Sequence, residues 1–255
     1  MSSSSLAEIQ AYIRVAAPQG RETARVGPFL ATFDPGTALV YLSYAIPDDG
    51  AAPSTADVSA LVSAYVARSR VPRLEYIPAL APLVEPALVA AGFEVEARVP
   101  MMVCDPSTAV PQPVPAGIEV LVPRTDDELA GYMRAQREAF GQDGLVSAAD
   151  LDGMRGRDGL FVLARDTATG EPAGAGAGTS VIGGSTELAG LGVREPYRRR
   201  GIAAAITWEL SRLAVAAGVT TAFLTPGDGV AERVYARVGY RSLGEMLHIS
   251  HPGAA

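Results

Sequence analysis

The chain has 255 residues, 48% of them hydrophobic and 19% charged, which is the composition of a globular protein with ample material for a core. All 21 basic residues are arginine, and neither lysine nor asparagine occurs, so phosphate-loop lysines, Schiff-base lysines and Asn-linked glycans are excluded. The net charge of −7 argues against a nucleic-acid partner, and one Cys with two His rules out an internal disulfide, a multi-thiolate zinc site or a three-histidine metal site.

No run of about 18 apolar residues is present, so no membrane span is expected. Met1 to Leu6 carries four serines and no basic stretch leading into an apolar one, which does not read as a signal peptide. With a single cysteine fitting a reducing compartment, the expected localisation is cytoplasmic.

In chain order, Val26–Phe33 and Leu39–Ile46 read as a hairpin around Asp34-Pro-Gly36. Thr55–Arg68 is an amphipathic helix with Val58, Leu61, Val62, Tyr65 and Val66 on one face. A strand at Arg73–Ile77, a helix at Leu80–Ala90 and a strand at Phe93–Val103 follow. Residues 106–116 contain Pro106, Pro111, Pro113 and Pro115 and read as an extended linker between a unit at 1–105 and one at 117–250.

The second unit begins with a strand at Ile118–Val122. Thr125 followed by Glu128 forms a capping box for a helix reaching about Phe140, and Ser147 with Asp150 marks a short second helix. Leu160–Arg165 is a strand. Ala173–Ile182 and Thr186–Val193 form a hairpin around Gly183-Gly184. A helix over Gly201–Ala217 stops at Gly218. A strand at Thr220–Leu224, a helix at Val230–Val238 and a strand at Tyr240–Ile249 complete the chain. This is an α/β class pattern, with strands and helices mixed around a mixed sheet.

The two halves repeat. Leu74-Glu-Tyr-Ile-Pro78 corresponds to Phe223-Leu-Thr-Pro226, and Gly92-Phe93 corresponds to Gly239-Tyr240. The first copy lacks the opening strand and helices of the second.

Chemistry concentrates in Leu191-Gly-Val-Arg-Glu-Pro-Tyr-Arg-Arg-Arg-Gly-Ile-Ala203. A strand ends at Val193, a turn follows, and a helix opens at Gly201. Such a helix start offers unpaired amides and a partial positive charge, Gly201 permits close approach, and Arg198, Arg199 and Arg200 add fork-shaped donors. The pattern suits a pyrophosphate; the bland alternative is a solvated basic turn.

This stretch resembles the acyl-CoA motif of the GNAT superfamily of N-acetyltransferases, (Gln/Arg)-x-x-Gly-x-(Gly/Ala), here Arg198-x-x-Gly201-x-Ala203. The resemblance continues downstream, where Asn-x-x-Ala-x-x-(Leu/Val)-Tyr-x-x-x-Gly-Phe appears as Asp228-x-x-Ala231-x-x-Val234-Tyr235-x-x-x-Gly239-Tyr240. It covers about residues 117–250. The implied fold is two GNAT-like units in tandem, the first truncated. The implied cosubstrate is acetyl-CoA, with no metal.

The same resemblance implies roles. Amides from Arg199, Arg200, Gly201, Ile202 and Ala203, with Arg198, would hold the pyrophosphate. Leu191, Gly192 and Val193 would pair with the pantetheine arm and present an amide to the thioester oxygen. Asp228 and Ala231 would lie along the cofactor, with Asp228 standing where the family usually has Asn.

Tyr235 matches the tyrosine that often protonates the leaving thiolate, and a packing aromatic is the alternative. Glu187, on the strand leading into the cradle, is the candidate general base; a solvent-facing strand residue is the alternative. The implied activity is transfer of an acetyl or other small acyl group to a primary amine of a small molecule or peptide. The rival reading is a CoA-binding regulatory or scaffold protein that has lost the chemistry.

In the first copy, Asp48 and Asp49 stand where arginines stand in the second, so that half is not expected to bind CoA. It would cover sheet edges, wall the cleft or make a homodimer contact. Cys104, His248 and His251 read as structural. The acids Glu138, Asp143, Asp150 and Asp152 read as a solvated face or as an attraction for a cationic amine.

Overall fold

The computed structural model describes residues 3–36 and 39–254, which form two compact units. The first comprises Met1–Met101 with Leu243–Ala255, and the second Met102–Ser242. These limits differ from the division at 1–105 and 117–250, because the last strand of the sequence belongs mostly to the first unit.

The first unit opens with α1 (Ser3–Ala16), a helix not among the elements expected from the sequence. Ile9, Tyr12 and Ile13 recur at helical spacing and are all buried. Gln10 is fully buried and accepts the Ile77 amide at 3.1 Å. β1 (Glu22–Val26) and β2 (Phe29–Phe33) form a hairpin. Its turn is Gly27-Pro28, where Gly27 supplies the left-handed φ of +52°, and β2 also pairs antiparallel with Ala45–Pro47, from Phe29↔Pro47 to Ala31↔Ala45, the pairing expected of the segments on either side of Asp34-Pro-Gly36. The stretch expected as a strand at Leu39–Ile46 is a single 3-10 turn at Val40–Leu42 followed by β3 (Ala45–Pro47).

α2 (Thr55–Val66), β4 (Arg73–Tyr76), α3 (Val84–Ala90) and β5 (Glu94–Cys104) follow. β3 runs parallel to β4, and β4 pairs antiparallel with the final strand β11 (Arg241–Ser250) from Leu247↔Tyr76 to Ser250↔Arg73. Leu247 and Ile249 are fully buried in a core with Leu74, Tyr76 and Leu88.

In the second unit the elements are β6 (Ile118–Leu121), α4 (Asp126–Ala139), α5 (Ala148–Arg155), β7 (Leu160–Asp166), β8 (Pro172–Gly178), β9 (Ser185–Val193), α6 (Ile202–Ala216), β10 (Thr221–Leu224) and α7 (Gly229–Val238). They match the expected elements closely. Both helix starts read from the sequence are full capping boxes, Thr125 with Glu128 and Ser147 with Asp150. The strand order is β6-β7-β8-β9-β10-β5, antiparallel throughout except for the parallel pair β9 and β10.

The closing strand is Met102–Cys104 of β5, paired with Ala222–Leu224 of β10. β4 and β10 are equivalent in the repeat, as are β5 and β11. Each unit therefore completes its sheet with a strand that arrives from the other half of the sequence.

Residues 106–116 are not a free linker. Pro106 is buried, the Val110 amide donates to Val238 O at 2.9 Å, and the Gln112 side-chain amide donates to Arg237 O at 3.1 Å.

The alternating glycines of β8 have a packing reason. A Cβ on Gly176 would lie 2.9 Å from Ile206 and 3.2 Å from Leu210, and one on Gly174 would lie 2.8 Å from Gly192 O. The glycines let α6 sit close on the sheet, while Ala175 between them packs under Tyr132 and Ala135 of α4. No helix among the described residues is long and apolar enough to cross a membrane.

Candidate active site

β9 and β10 pair only from Ser185↔Thr221 to Glu187↔Phe223. Beyond that point β9 continues through Val193 with no strand partner on that side among the described residues. A bulge shapes this open stretch: β8 pairs at Ala177↔Ala189 and then at Ala175↔Gly192, so Gly190 and Leu191 together oppose Gly176. Gly190 takes a left-handed φ of +59°, and its carbonyl accepts the Gln136 side-chain amide at 3.1 Å.

The Arg194 amide donates to Ala173 O on β8. Backbone direction alternates along an antiparallel strand, so the N–H and C=O of Leu191 and Val193 point the other way, to the open edge.

α6 begins at the far end of this edge. Gly201 is its N-cap at φ +89°, and no side chain caps the helix. Arg199, at φ +63°, is also left-handed. The first backbone bond closing on the helix runs from the Ala205 amide to Gly201 O, which leaves the first-turn amides facing outward. Neighbouring left-handed residues at a helix start form a concave set of amides suited to an anion.

A cavity of about 500 Å³ joins these features, within the ordinary range for a cofactor site. It is lined by Leu191, Gly192, Val193, Arg198, Arg199, Gly201, Ile202, Ala203, Asp228, Ala231 and Tyr235. These are all of the cofactor-site residues expected from the sequence except Arg200. The Arg200 guanidinium instead donates to Ala116 O at 3.4 Å and lies 5.6 Å from the Tyr197 ring centre. Arg198 lines the cavity but its side chain is engaged, donating to Val193 O at 3.1 Å and Ala139 O at 3.4 Å. It therefore props the turn and occupies the Val193 carbonyl, leaving the Val193 amide on the open edge.

Arg199 makes no hydrogen bond or ion pair among the described residues, and the same holds for the Arg237 side chain, which the sequence reading did not single out. Two unpaired cations beside outward-facing amides fit a diphosphate. Phe140, at the end of α4, also lines the cavity; a Cβ on Gly192 would meet Ala139 at 2.6 Å, so only glycine lets α4 close over the strand here.

Asp228 has a plain structural role. Its carboxylate caps α7 by accepting the amides of Val230 at 2.9 Å and Ala231 at 2.7 Å. An Asn side-chain oxygen would do the same, so aspartate keeps the helix start.

Tyr235 is buried, with 8% of its surface exposed. Burial, reinforced by the negative charge of Asp228, pushes its phenol up to about 12. Burial likewise pushes Tyr132 up to about 12 and raises Tyr65, Tyr76 and Tyr240 further. These phenols stay neutral in the fold but ionise near 10 when unfolded, so stability present below pH 10 is lost as the pH climbs towards 12. A shift of two units corresponds to about 3 kcal/mol per group. Denaturant titrations from pH 9 to 12 should show the midpoint falling steeply, with the phenolate absorbance of these tyrosines rising only on unfolding. Phenolate absorbance equivalent to all nine tyrosines rising near pH 10 in the intact fold would contradict this.

Glu187 does not line the cavity. It sits at the last β9–β10 pair, where the strands part. Side chains alternate along the strand, which puts Glu187 on the same face as Ala189 and its partner Ala177, the face of β8 that α4 covers. Cys104 is buried with its thiol raised by burial, and burial lowers His248; both occupy strand positions.

The acids near α4 and α5 are neutralised: Glu138 pairs with Arg194, Asp150 with Arg137, and Asp152 with Arg155. They do not form a free acidic face for a cationic amine. Asp143 accepts the Leu145 amide at 3.3 Å. Among the described residues, no three His, Cys, Asp or Glu side chains gather as a metal-ligand set.

The first unit contrasts with this site. α2 opens on a capping box, Ser54 with Asp57, so the Asp57 amide is already taken and an acid stands in its first turn. Asp48 and Asp49 are paired with Arg25 and Arg14.

Residues 129–240 match the acetyltransferase (GNAT) family. No curated protein matches the chain. Among solved structures, the chain resembles a GCN5-related N-acetyltransferase from Kribbella flavida at 26% identity and a TM-score of 0.82, covering 97% of this chain and 96% of that one. It resembles a GCN5-related N-acetyltransferase from Sphaerobacter thermophilus at 22% identity and a TM-score of 0.57, over 71% of this chain and 59% of that one. It shares its fold with a tandem GNAT protein from the clavulanic acid biosynthesis pathway, at 16% identity and a TM-score of 0.61, over 87% of this chain and 77% of that one. The fold is thus that of tandem GNAT proteins, and residues 129–240 of the second unit match the acetyltransferase (GNAT) family, whose members transfer acyl groups from acyl-CoA.

Proposed function

We propose that the second unit transfers an acetyl or other small acyl group from acyl-CoA to a primary amine by direct attack within a ternary complex. The observation that carries this reading is one cavity joining an uncapped helix start, the open edge of β9 and the buried Tyr235. The acceptor would be a small-molecule or peptide amine. The first unit, with its capped α2, has a structural role rather than holding a cofactor.

Acyl-CoA supplies a thioester, an acyl carbon already activated towards an amine. The site has to hold that group, remove one proton from the amine and stabilise the departing thiolate. Amides of Arg199 to Ala203, with the Arg199 and Arg237 guanidinium groups, would hold the diphosphate. The backbone of Leu191 and the Val193 amide would hold the pantetheine arm and the thioester oxygen, the amide acting as an oxyanion donor. Glu187, at the fork of the two strands, would take the amine proton directly or through water.

Tyr235 is the donor to the thiolate. At about 12, its phenol is above an ordinary thiol near 8.5, so complete proton transfer is uphill by roughly 5 kcal/mol. Its contribution is therefore a hydrogen bond that strengthens as charge builds on sulfur.

Tyr235→Phe should cut turnover about a hundredfold while leaving acetyl-CoA affinity in place. Release of free CoA with a panel of primary amines, followed as new thiol, checks both the activity and this variant. Turnover unchanged by Tyr235→Phe would remove the tyrosine from the mechanism. Acetyl-CoA binding without release against any amine would favour the regulatory or scaffold reading.

A further inference from the structure

A second cavity, of about 390 Å³, lies between α4 and α5, and nothing above gives it a role. Tyr132, Gln136, Arg137, Asp150, Met154 and Arg157 are among its lining residues. α4 links it to the first cavity. Ala139 and Phe140 line the cofactor cavity, and Gln136 lies one helical turn back, about 5 Å along the axis. The Gln136 amide bridges the two places, donating to Gly190 O of the bulge at 3.1 Å and to the Tyr132 hydroxyl at 3.2 Å. Glu187 is on the same face of the sheet.

The charges in this cavity are unequal in availability. Asp150 accepts from the Arg137 guanidinium at 2.7 Å and from both the amide and hydroxyl of Ser147 at 2.8 Å. Three donors converge on its carboxylate, and these hydrogen bonds hold it well below the usual carboxylate range. The Arg137 charge is spent in the same pair. Arg157 makes no hydrogen bond or ion pair among the described residues. It lies near enough to the Tyr132 phenol for its charge to oppose the effect of burial there. The Tyr132 hydroxyl accepts from Gln136, so its own proton remains to be donated.

The cavity thus offers one uncommitted guanidinium, one uncommitted hydroxyl proton and no uncommitted acid. Two arginines and one aspartate sum to +1, the complement of a monoanion.

We propose that the acceptor is a small amine carrying a carboxylate, held in this cavity by Arg157 and the Tyr132 hydroxyl, with its amine directed past Gln136 towards Glu187 and the acyl group. This rests on the acyl-transfer reading and names its substrate class. A planar carboxylate matches the guanidinium fork, whereas a phosphate dianion exceeds the available charge. Polyamines and other multiply cationic acceptors are excluded by the same charge balance.

The test uses the full chain with acetyl-CoA and three matched pairs: glycine, 4-aminobutyrate and phenylalanine, each against its carboxamide, with phosphoethanolamine and spermidine as further arms. Expected is a kcat/KM for at least one acid about a hundredfold above its carboxamide, and above both further arms. Arg157→Ala should collapse the acid-to-amide ratio by about 30-fold or more, chiefly through KM, with acetyl-CoA affinity retained. Arg157→Lys should recover part of that ratio. Preference for a carboxamide, for spermidine or for phosphoethanolamine would overturn the proposal, as would an Arg157→Ala loss equal for acid and amide.

If no amine releases CoA, the acyl-transfer reading falls. Calorimetry of 4-aminobutyrate and phenylalanine with the CoA-loaded protein then decides the anion site separately. Binding lost in Arg157→Ala supports it, and the absence of binding, or binding that survives the substitution, overturns it.

Discussion

Gly201→Glu should raise the dissociation constant for acetyl-CoA by about a thousandfold while the protein still folds. Gly201 caps α6 at φ +89°, and a Cβ there would meet only Pro115, at 3.8 Å. Space is available, so the fold bears only the cost of a left-handed side chain, about 1–2 kcal/mol. The carboxylate, however, enters the group of outward amides and faces the anion they would hold. Two like charges about 4 Å apart repel by about 4 kcal/mol at a protein-surface dielectric. Gly201→Ala carries the strain without the charge and should lose at most about tenfold. Calorimetric titration of both variants, with melting curves to verify folding, checks the difference. Normal affinity in Gly201→Glu would show that the diphosphate does not bind at this helix start.

The second large effect concerns the exchanged strands. Residues 117–255 expressed alone should not fold into a cooperative unit. The fragment lacks Met102 and Cys104, both buried, and leaves the Ala222–Leu224 backbone as an open edge. It retains β11, whose fully buried Leu247 and Ile249 have lost β4 and the first-unit core. Exposing these two large apolar side chains costs about 3–6 kcal/mol before the lost Met102 contacts are counted, a large part of the whole stability of a domain. Co-expression of 1–116 with 117–255 should restore solubility, a cooperative melt and acetyl-CoA binding. A lone 117–255 fragment that melts and binds like the full chain would show that the exchange is dispensable.

The second unit was largely legible in the sequence because its signals are local. Thr125 with Glu128 and Ser147 with Asp150 announce helix starts within four residues, and Gly183-Gly184 turns its hairpin at φ +57° and +77°. The cavity could be read because Arg198-x-x-Gly201-x-Ala203 and the Asp228–Tyr235 run are each a short local motif, at the starts of α6 and α7. Strand exchange was not legible, since β5 and β11 have equivalent patterns and either could pair with β4 or β10. The different tasks of the three arginines were equally hidden. Arg198 reaches Val193 O and Arg200 reaches Ala116 O through backbone carbonyls, which leave no mark on composition. Arg237 and Phe140 were missed because they enter from the ends of α7 and α4. The arginine partners of the acids at 138, 150 and 152 were not legible, because the fold sets them, Glu138 meeting Arg194 across 56 positions.

The central claim is that one helix start and one open strand edge in the second unit hold acyl-CoA. Calorimetric titration of the unmodified full chain with acetyl-CoA tests it most directly. Saturable binding of one equivalent per chain is expected, weakened by Arg199→Ala and Arg237→Ala and weakened about a thousandfold by Gly201→Glu. Two equivalents per chain would place a cofactor in the first unit as well, and no saturable binding at millimolar acetyl-CoA would contradict the account outright.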